Sequence, residues 1–345
     1  RIRLVRNEDY FEERPAIKSI TFPIYSDRTQ TVLKLKSGEL SFGQLRSGQY
    51  REEVLQYQNS PAADRPQNSP FLNGQIKCDV IPPSSFAFIG WNLRSPIFSD
   101  RRVRHALTMA LNRQEIVTKV FNGLGQVARG PFLESSNYLA PEIQPLPFDL
   151  KRAKELLAEA GWVDTDGDGL LDLADRSGKR VPFEFSLLSF TSPEWLAFGN
   201  VYKEDLLGIG IKMNVEVIQW SQMQKRMDER KFDAYIGAWL LSWYTDPYQI
   251  WHSSQADVPK GSNAVGFRNK QADALLERLR ETLEPERRIE LARGFHRIVH
   301  EEQPYTFIYT PRFAYCYRSG IEHVVYAKER PLYETTPWSS TIADG

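Results

Sequence analysis

Between Val181 and Ile218 a strand, a helix and a second strand follow one another with short links, and this run constrains the fold more than any other feature. From Val181 to Leu188, the residues Phe183, Phe185 and Leu187 alternate to one side, the period-two signature of a strand. Ser192 suits a helix cap and Pro193 a first turn, so a helix is predicted from there to about Leu207. Ile211, Met213, Val215 and Val217 then alternate along a second strand, Ile211 to Ile218. A helical crossover returns the chain to pair in the same direction, so the class is α/β and the sheet is at least partly parallel.

The rest of the chain reads in the same terms. Ile17 to Tyr25 is predicted as a strand, and Thr29 to Lys36 as a short helix closed by Gly38. Asn59 to Gly74 carries Pro61, Pro66 and Pro70 and is loop. Phe86 to Leu93 is an aromatic run of strand length. Ser99 is read as the cap of a helix with Val103, Ala106, Leu107, Ala110 and Leu111 on one face. Asp149 caps another, carrying Ala153, Leu156, Leu157 and Ala160 and stopped by Gly161. Phe232 to Trp239 adds a strand. Charged helices over Lys270 to Thr282 and Pro285 to Glu302 precede the strands Tyr305 to Thr310 and Phe313 to Arg318.

Composition removes several functions. At 345 residues the chain is long enough for two lobes, and 41% apolar with 26% charged residues is the balance of a globular protein. Lys+Arg and Asp+Glu both number 44, which argues against nucleic acid as a partner. No apolar run approaches the roughly 20 residues that cross a bilayer, and the stretch from Arg1 to Arg6 has neither a signal core nor a cleavage site. Cys78 and Cys316 allow one disulfide, although a free buried pair is the plainer reading. His296 and His300 stand four apart on a helix, as in zinc sites, but the metalloprotease Glu and a third ligand are missing, which leaves a solvated face. There is no nucleophile elbow, phosphate loop or dinucleotide fingerprint, so an enzyme is not expected.

Several segments then fall in a recognisable order. Asn7-Glu8-Asp9-Tyr10-Phe11 is followed by Lys36-Ser37-Gly38-Glu39-Leu40. Next come Gly90-Trp91-Asn92-Leu93, Pro96-Ile97-Phe98-Ser99-Asp100, Arg102-Val103-Arg104 and Ala110-Leu111-Asn112-Arg113. Asp166-Gly167-Asp168-Gly169, Asp246-Pro247, Asn263 and Pro304 complete the series. With these motifs the chain resembles the dipeptide- and oligopeptide-binding proteins, family 5 of the bacterial extracellular solute-binding proteins. The resemblance implies a two-lobed periplasmic-binding-protein type II fold that traps a solute as its lobes close. It also implies that the N-terminal part of lobe I, with any signal peptide, is missing here. Residues 1–84 would belong to lobe I, 85–318 would form lobe II, and 319–345 would return to lobe I. Within lobe II, Arg102 and Arg104 are read as internal ion-pair partners and Asn92 as a buried bond to backbone.

The expected ligand site lies in Phe232 to Trp251, whose seven aromatics exceed the chain's 12%. Phe232 and Tyr235 are assigned to the core, while Trp239, Trp243 and Tyr244 are candidate cleft walls, with Asp246 beside them. In the resemblance, an Asp shortly before Asp-Pro pairs with a peptide's α-ammonium. No carboxylate lies between Trp239 and Asp246, so that anchor is absent and the ammonium would have to meet an aromatic face. Asp164, Asp166, Asp168, Asp172 and Asp175 follow the spacing of a calcium loop, with a solvated Asx turn as the alternative. The expected function is substrate capture outside the cytoplasm, periplasmic or membrane-anchored, for an ABC permease of the inner membrane. The protein would act as a monomer on peptides or other small solutes, without a cofactor unless calcium occupies the loop. The alternative is the ligand-sensing domain of a transcription regulator with the same fold.

Overall fold

The computed structural model describes every residue except 26, 28, 82–84, 175–177, 242–245, 328–331 and 343–345. The chain divides into two compact units, residues 1–84 with 311–345, and residues 85–310. In chain order the first unit contributes β1 (Ile2–Val5), β2 (Ser19–Phe22), α1 (Gln30–Ser37), β3 (Phe42–Leu45), α2 (Ser47–Glu53) and β4 (Ile76–Ile81). The second supplies β5 (Ser85–Trp91), α3 (Pro96–Ser99), α4 (Arg101–Met109), α5 (Arg113–Lys119), β6 (Gly125–Val127) and α6 (Leu150–Glu159). It continues with β7 (Asp172–Ala174), β8 (Arg180–Pro182), β9 (Glu184–Ser189), α7 (Pro193–Leu207), β10 (Lys212–Val217), α8 (Trp220–Asp228) and β11 (Ala234–Leu240). Then come α9 (Tyr248–Trp251), α10 (Lys270–Glu281), α11 (Pro285–Glu302) and β12 (Tyr305–Pro311). The chain ends in the first unit with β13 (Phe313–Arg318), β14 (Ile321–Glu322) and β15 (Ser339–Ser340).

The second unit is built on a six-stranded sheet of order β10-β9-β11-β5-β12-β6. The expected crossover is present: β9 and β10 pair in parallel around α7, and β11 joins β9 in parallel. β5 runs antiparallel to both β11 and β12, so the sheet is mixed. Side chains alternate between two cores. Ile89, Trp91, Phe185, Leu187 and Ile236 pack with Leu107 of α4, Leu157 of α6 and Phe198 of α7. Phe86, Phe88, Leu188, Tyr235 and Tyr305 pack with Leu276 of α10 and Phe295 of α11. With helices on both faces every residue of β5 is buried, which is why that stretch reads as a continuous apolar run. Gly90 faces Tyr235 across the β5–β11 pair, and a Cβ there would lie 2.7 Å from its ring.

The helix ends are local. Asp149 Oδ1 accepts from Arg152 N at 2.8 Å, and Ser192 Oγ from Trp195 N at 3.3 Å. Gly161 follows α6 with φ +93°, a conformation glycine adopts without cost. At α4 the cap moves one residue from the expected Ser99: Asp100 accepts from Arg102 N at 2.8 Å, because the short helix α3 occupies Pro96–Ser99. Arg102 pairs with Asp100 at 2.6 Å and the buried Arg104 with Glu302 at 3.3 Å. Asn92 donates to Phe232 O at 2.8 Å, as a buried amide must.

The first unit holds a three-stranded sheet of order β3-β13-β4. Two expectations change here. Phe313–Arg318, assigned from sequence to the 85–318 lobe, instead pairs antiparallel with β3 and β4, so the second unit ends at residue 310. Cys78 and Cys316 are not free: they stand opposite in the β4–β13 register and form a disulfide spanning 238 residues.

Candidate functional site

In α/β sheets, ligand-facing side chains cluster beyond the carboxyl ends of parallel strands. β9, β10 and β11 end at Ser189, Val217 and Leu240. Leu240 pairs with Ser85, where the chain enters this unit, and β12 leaves the sheet in the direction of β11.

That edge carries aromatic rings. Trp220, three residues beyond the end of β10, is 53% exposed. Its ring lies 6.1 Å from Phe190, the residue after β9, and Phe190 lies 6.4 Å from Trp195 at the start of α7. An exposed Trp at a strand end leaves a large apolar face for a partner to cover. Trp239, near the end of β11, is half-buried. Its ring runs parallel to Phe88 at 6.4 Å, and its Nε1 donates to Tyr305 Oη at 3.4 Å. Trp220 and Phe190 were not among the sequence candidates. The signal that finds them is their position just past two parallel strands, not the local density of aromatics.

The other predicted residues divide. Trp243 and Tyr244 lie outside the described residues. Phe232 and Tyr235 are core, as expected, and Trp251 is core as well. Asp246 is not a free anion: its Oδ2 accepts from Arg280 Nη2 at 2.6 Å and Nε at 2.8 Å, and its Oδ1 accepts from Tyr248 N at 3.0 Å. Burial pushes this carboxyl up, but the Arg280 guanidinium and the Tyr248 N–H outweigh it and hold it below the usual carboxylate range.

The acidic loop only partly matches a calcium loop. Asp164, Asp166 and Asp168 are exposed, with ligand oxygens within 4.8 Å of one another. Each also caps backbone: Asp164 accepts from Gly167 N at 2.8 Å and Gly169 N at 3.0 Å, and Asp168 from Leu170 N at 2.8 Å. Asp172 does not join them. It turns to Thr165, accepting from Oγ1 at 2.6 Å, with Arg180 of β8 at 3.8 Å, as the antiparallel bridge between Val163 and Asp172 sets it beside residues 163–165. Asp175 lies outside the described residues. Calcium takes six to eight oxygens from carboxylates, carbonyls and water, and among the described residues Asp164, Asp166 and Asp168 are the carboxylates that converge.

The histidine pair corrects an expectation. His296 is not solvated but fully buried. Its Nδ1 accepts from Ala140 N at 3.0 Å, which leaves Nε2 to donate to Arg129 O at 2.9 Å. The ring is therefore neutral, and burial lowers its pKa to about 4. Gly130 makes room for it, since a Cβ there would lie 2.3 Å from Nε2.

Among the described residues no helix is long and apolar enough to cross a membrane. Residues 1–261 match the family described as bacterial extracellular solute-binding proteins, family 5 Middle. The chain is 33% identical over 342 residues to the oligopeptide-binding protein AppA of Bacillus subtilis (strain 168), covering 98% of this chain and 59% of that protein. It is 26% identical over 305 residues to di/tripeptide-binding protein 2 of Pseudomonas aeruginosa (strain UCBPP-PA14), covering 88% of this chain and 52% of the relative. The chain thus spans little more than half the length of these relatives. A solved structure of AppA from Bacillus subtilis in complex with a nonapeptide superposes with a TM-score of 0.81 at 31% identity, covering 99% of this chain and 64% of that one. The fold is accordingly that of the type II periplasmic binding proteins. None of these relatives is a transcription regulator, so the regulator reading gains no support. The chain belongs to the bacterial extracellular solute-binding proteins of family 5.

Proposed function

We propose that this protein is the substrate-capture component of an ABC importer for peptides or related solutes. The observation that carries the reading is the 33% identity to an oligopeptide-binding protein along nearly the whole chain. The aromatic edge formed by Phe190, Trp220 and Trp239 agrees with it, because ring faces bury varied side chains with little loss of entropy. Asp246 is occupied by Arg280, so on this reading the solute is held by apolar area and main-chain bonds, not by a carboxylate keyed to an ammonium. The disulfide favours an oxidising compartment, in keeping with a periplasmic or membrane-anchored location. The partners are an inner-membrane permease and the solute, the binding protein acts as a monomer, and no covalent chemistry is involved.

Calorimetry with a synthetic nonapeptide tests the proposal. Micromolar or tighter binding is expected, and Trp220→Ala should weaken it on the order of tenfold, as loss of a central aromatic does. Absence of heat up to millimolar peptide would remove the peptide reading. Unchanged affinity in Trp220→Ala would remove the aromatic edge.

A further inference from the structure

One chain of contacts on the second unit is not accounted for by its core. Arg280, on the exposed side of α10, grips the Asp246 carboxylate through Nε at 2.8 Å and Nη2 at 2.6 Å. The same guanidinium lies 3.8 Å over the ring of Tyr248. Tyr248 in turn stacks on His252, with centroids 4.1 Å apart and planes 14° from parallel. His252 closes the series against α10, with Nε2 3.2 Å from Glu277 Oε1 and Nδ1 2.8 Å from Ser254 Oγ. Arg280 therefore holds two points of the chain just where the segment Phe232 to Trp251 turns into α9, one by charge and one by a ring face.

An isolated surface ion pair contributes little to stability, and both partners here are about half-exposed. This guanidinium differs from such a pair in combining a two-pronged bond with a stacked ring, which fixes direction as well as distance. Its yield is geometry: α10 is anchored in the core through Leu276 and Leu279, and Arg280 passes that rigidity to residues 246–248. The same contact occupies the one carboxylate between Trp239 and Trp251.

We propose that Arg280 is a positioning residue for solute binding: it orients the stretch that follows 242–245, and it keeps Asp246 from serving as an ammonium anchor. This rests on the solute-binding reading above. The test compares Arg280→Ala and Arg280→Lys with the unmodified protein by three measurements: amide hydrogen exchange at 246–252, melting temperature, and calorimetric affinity for a synthetic nonapeptide. In Arg280→Ala, exchange at Tyr248 and His252 should quicken about tenfold and nonapeptide affinity should fall about fivefold to tenfold, while the melting temperature moves by less than about 2 °C. Arg280→Lys, which keeps the charge over Tyr248 but loses the fork, should recover part of both. Unchanged exchange in Arg280→Ala would overturn the clamp. Faster exchange at unchanged affinity, or a fall in melting temperature large enough to explain the loss of binding in both variants, would overturn the positioning role. If the unmodified protein binds no nonapeptide, the peptide reading fails, and the exchange data alone decide whether Arg280 holds the segment.

Discussion

At the scale of residues, His296 shows how one side chain couples the fold to pH. Its ring is enclosed with both nitrogens engaged, one as acceptor and one as donor, and only the neutral form satisfies Ala140 N and Arg129 O together. The folded pKa of about 4 lies below the ordinary histidine value of 6.5. Between those values the unfolded chain binds a proton that the folded one refuses, so stability is full above about pH 6.5 and falls as the pH drops towards 4. Burial also lowers His105 and His300, which adds to the slope in the same direction. The contribution of His296 should be roughly 3 kcal/mol between pH 7 and pH 4. Urea midpoints measured across that range check it, and His296→Gln, which cannot be protonated, should flatten the profile. A profile as steep in the variant as in the parent would exclude His296 as a source. Sequence showed the spacing of His296 and His300 but not which side of α11 faces Gly130. That was settled by packing across 166 positions of chain.

At the scale of elements, caps and periods were legible because they are local. Asp149, Ser192 and the alternation along β9 and β10 follow from neighbours in sequence. The acidic turn after α6 was legible only in part. Its aspartates at 164, 166 and 168 bond backbone N–H groups of the turn, an Asx arrangement. Asp164 accepts from two of these groups, so Asp164→Ala should cost about 1–2 kcal/mol in thermal or urea unfolding. Millimolar calcium should move the melting temperature of the unmodified protein by less than about 1 °C, because binding stabilises only as ligand exceeds its dissociation constant. A rise of several degrees that Asp164→Ala abolishes would instead assign the turn to the metal. Spacing could not decide this, because Asp172 is drawn away by Thr165 within the turn and by Arg180 of β8.

At the scale of the whole molecule, the Cys78–Cys316 bond ties the strand before the second unit to the strand after it. Among the described residues the first unit buries fewer apolar side chains, Leu35, Leu45, Tyr50, Ile76, Ile81 and Tyr315 among them, than the two cores flanking the six-stranded sheet. A cross-link closing a loop of 238 residues restricts the unfolded chain strongly. Replacing both cysteines with alanine should therefore destabilise the first unit by about 2–5 kcal/mol. Scanning calorimetry should show its transition moved to lower temperature, with that of residues 85–310 nearly in place. Equal shifts of both transitions, or none, would contradict this account. The pairing was not legible because the two cysteines become neighbours only when β13 inserts between β3 and β4, and the same insertion moved the unit boundary from 318 to 310.

The sequence by itself determined the α/β class, the β9–α7–β10 crossover, most helix ends and, through Ile89 to Arg113, the resemblance that the family match bears out. These depend on spacing along the chain, where steric and hydrogen-bonding preferences act between near neighbours. Tertiary structure alone decided that Asp246 belongs to Arg280, that His296 is buried, that Cys316 meets Cys78, and that Trp220 stands exposed beside Phe190. Each of these is a contact between elements, and its partner is fixed by how layers stack, which no local period encodes.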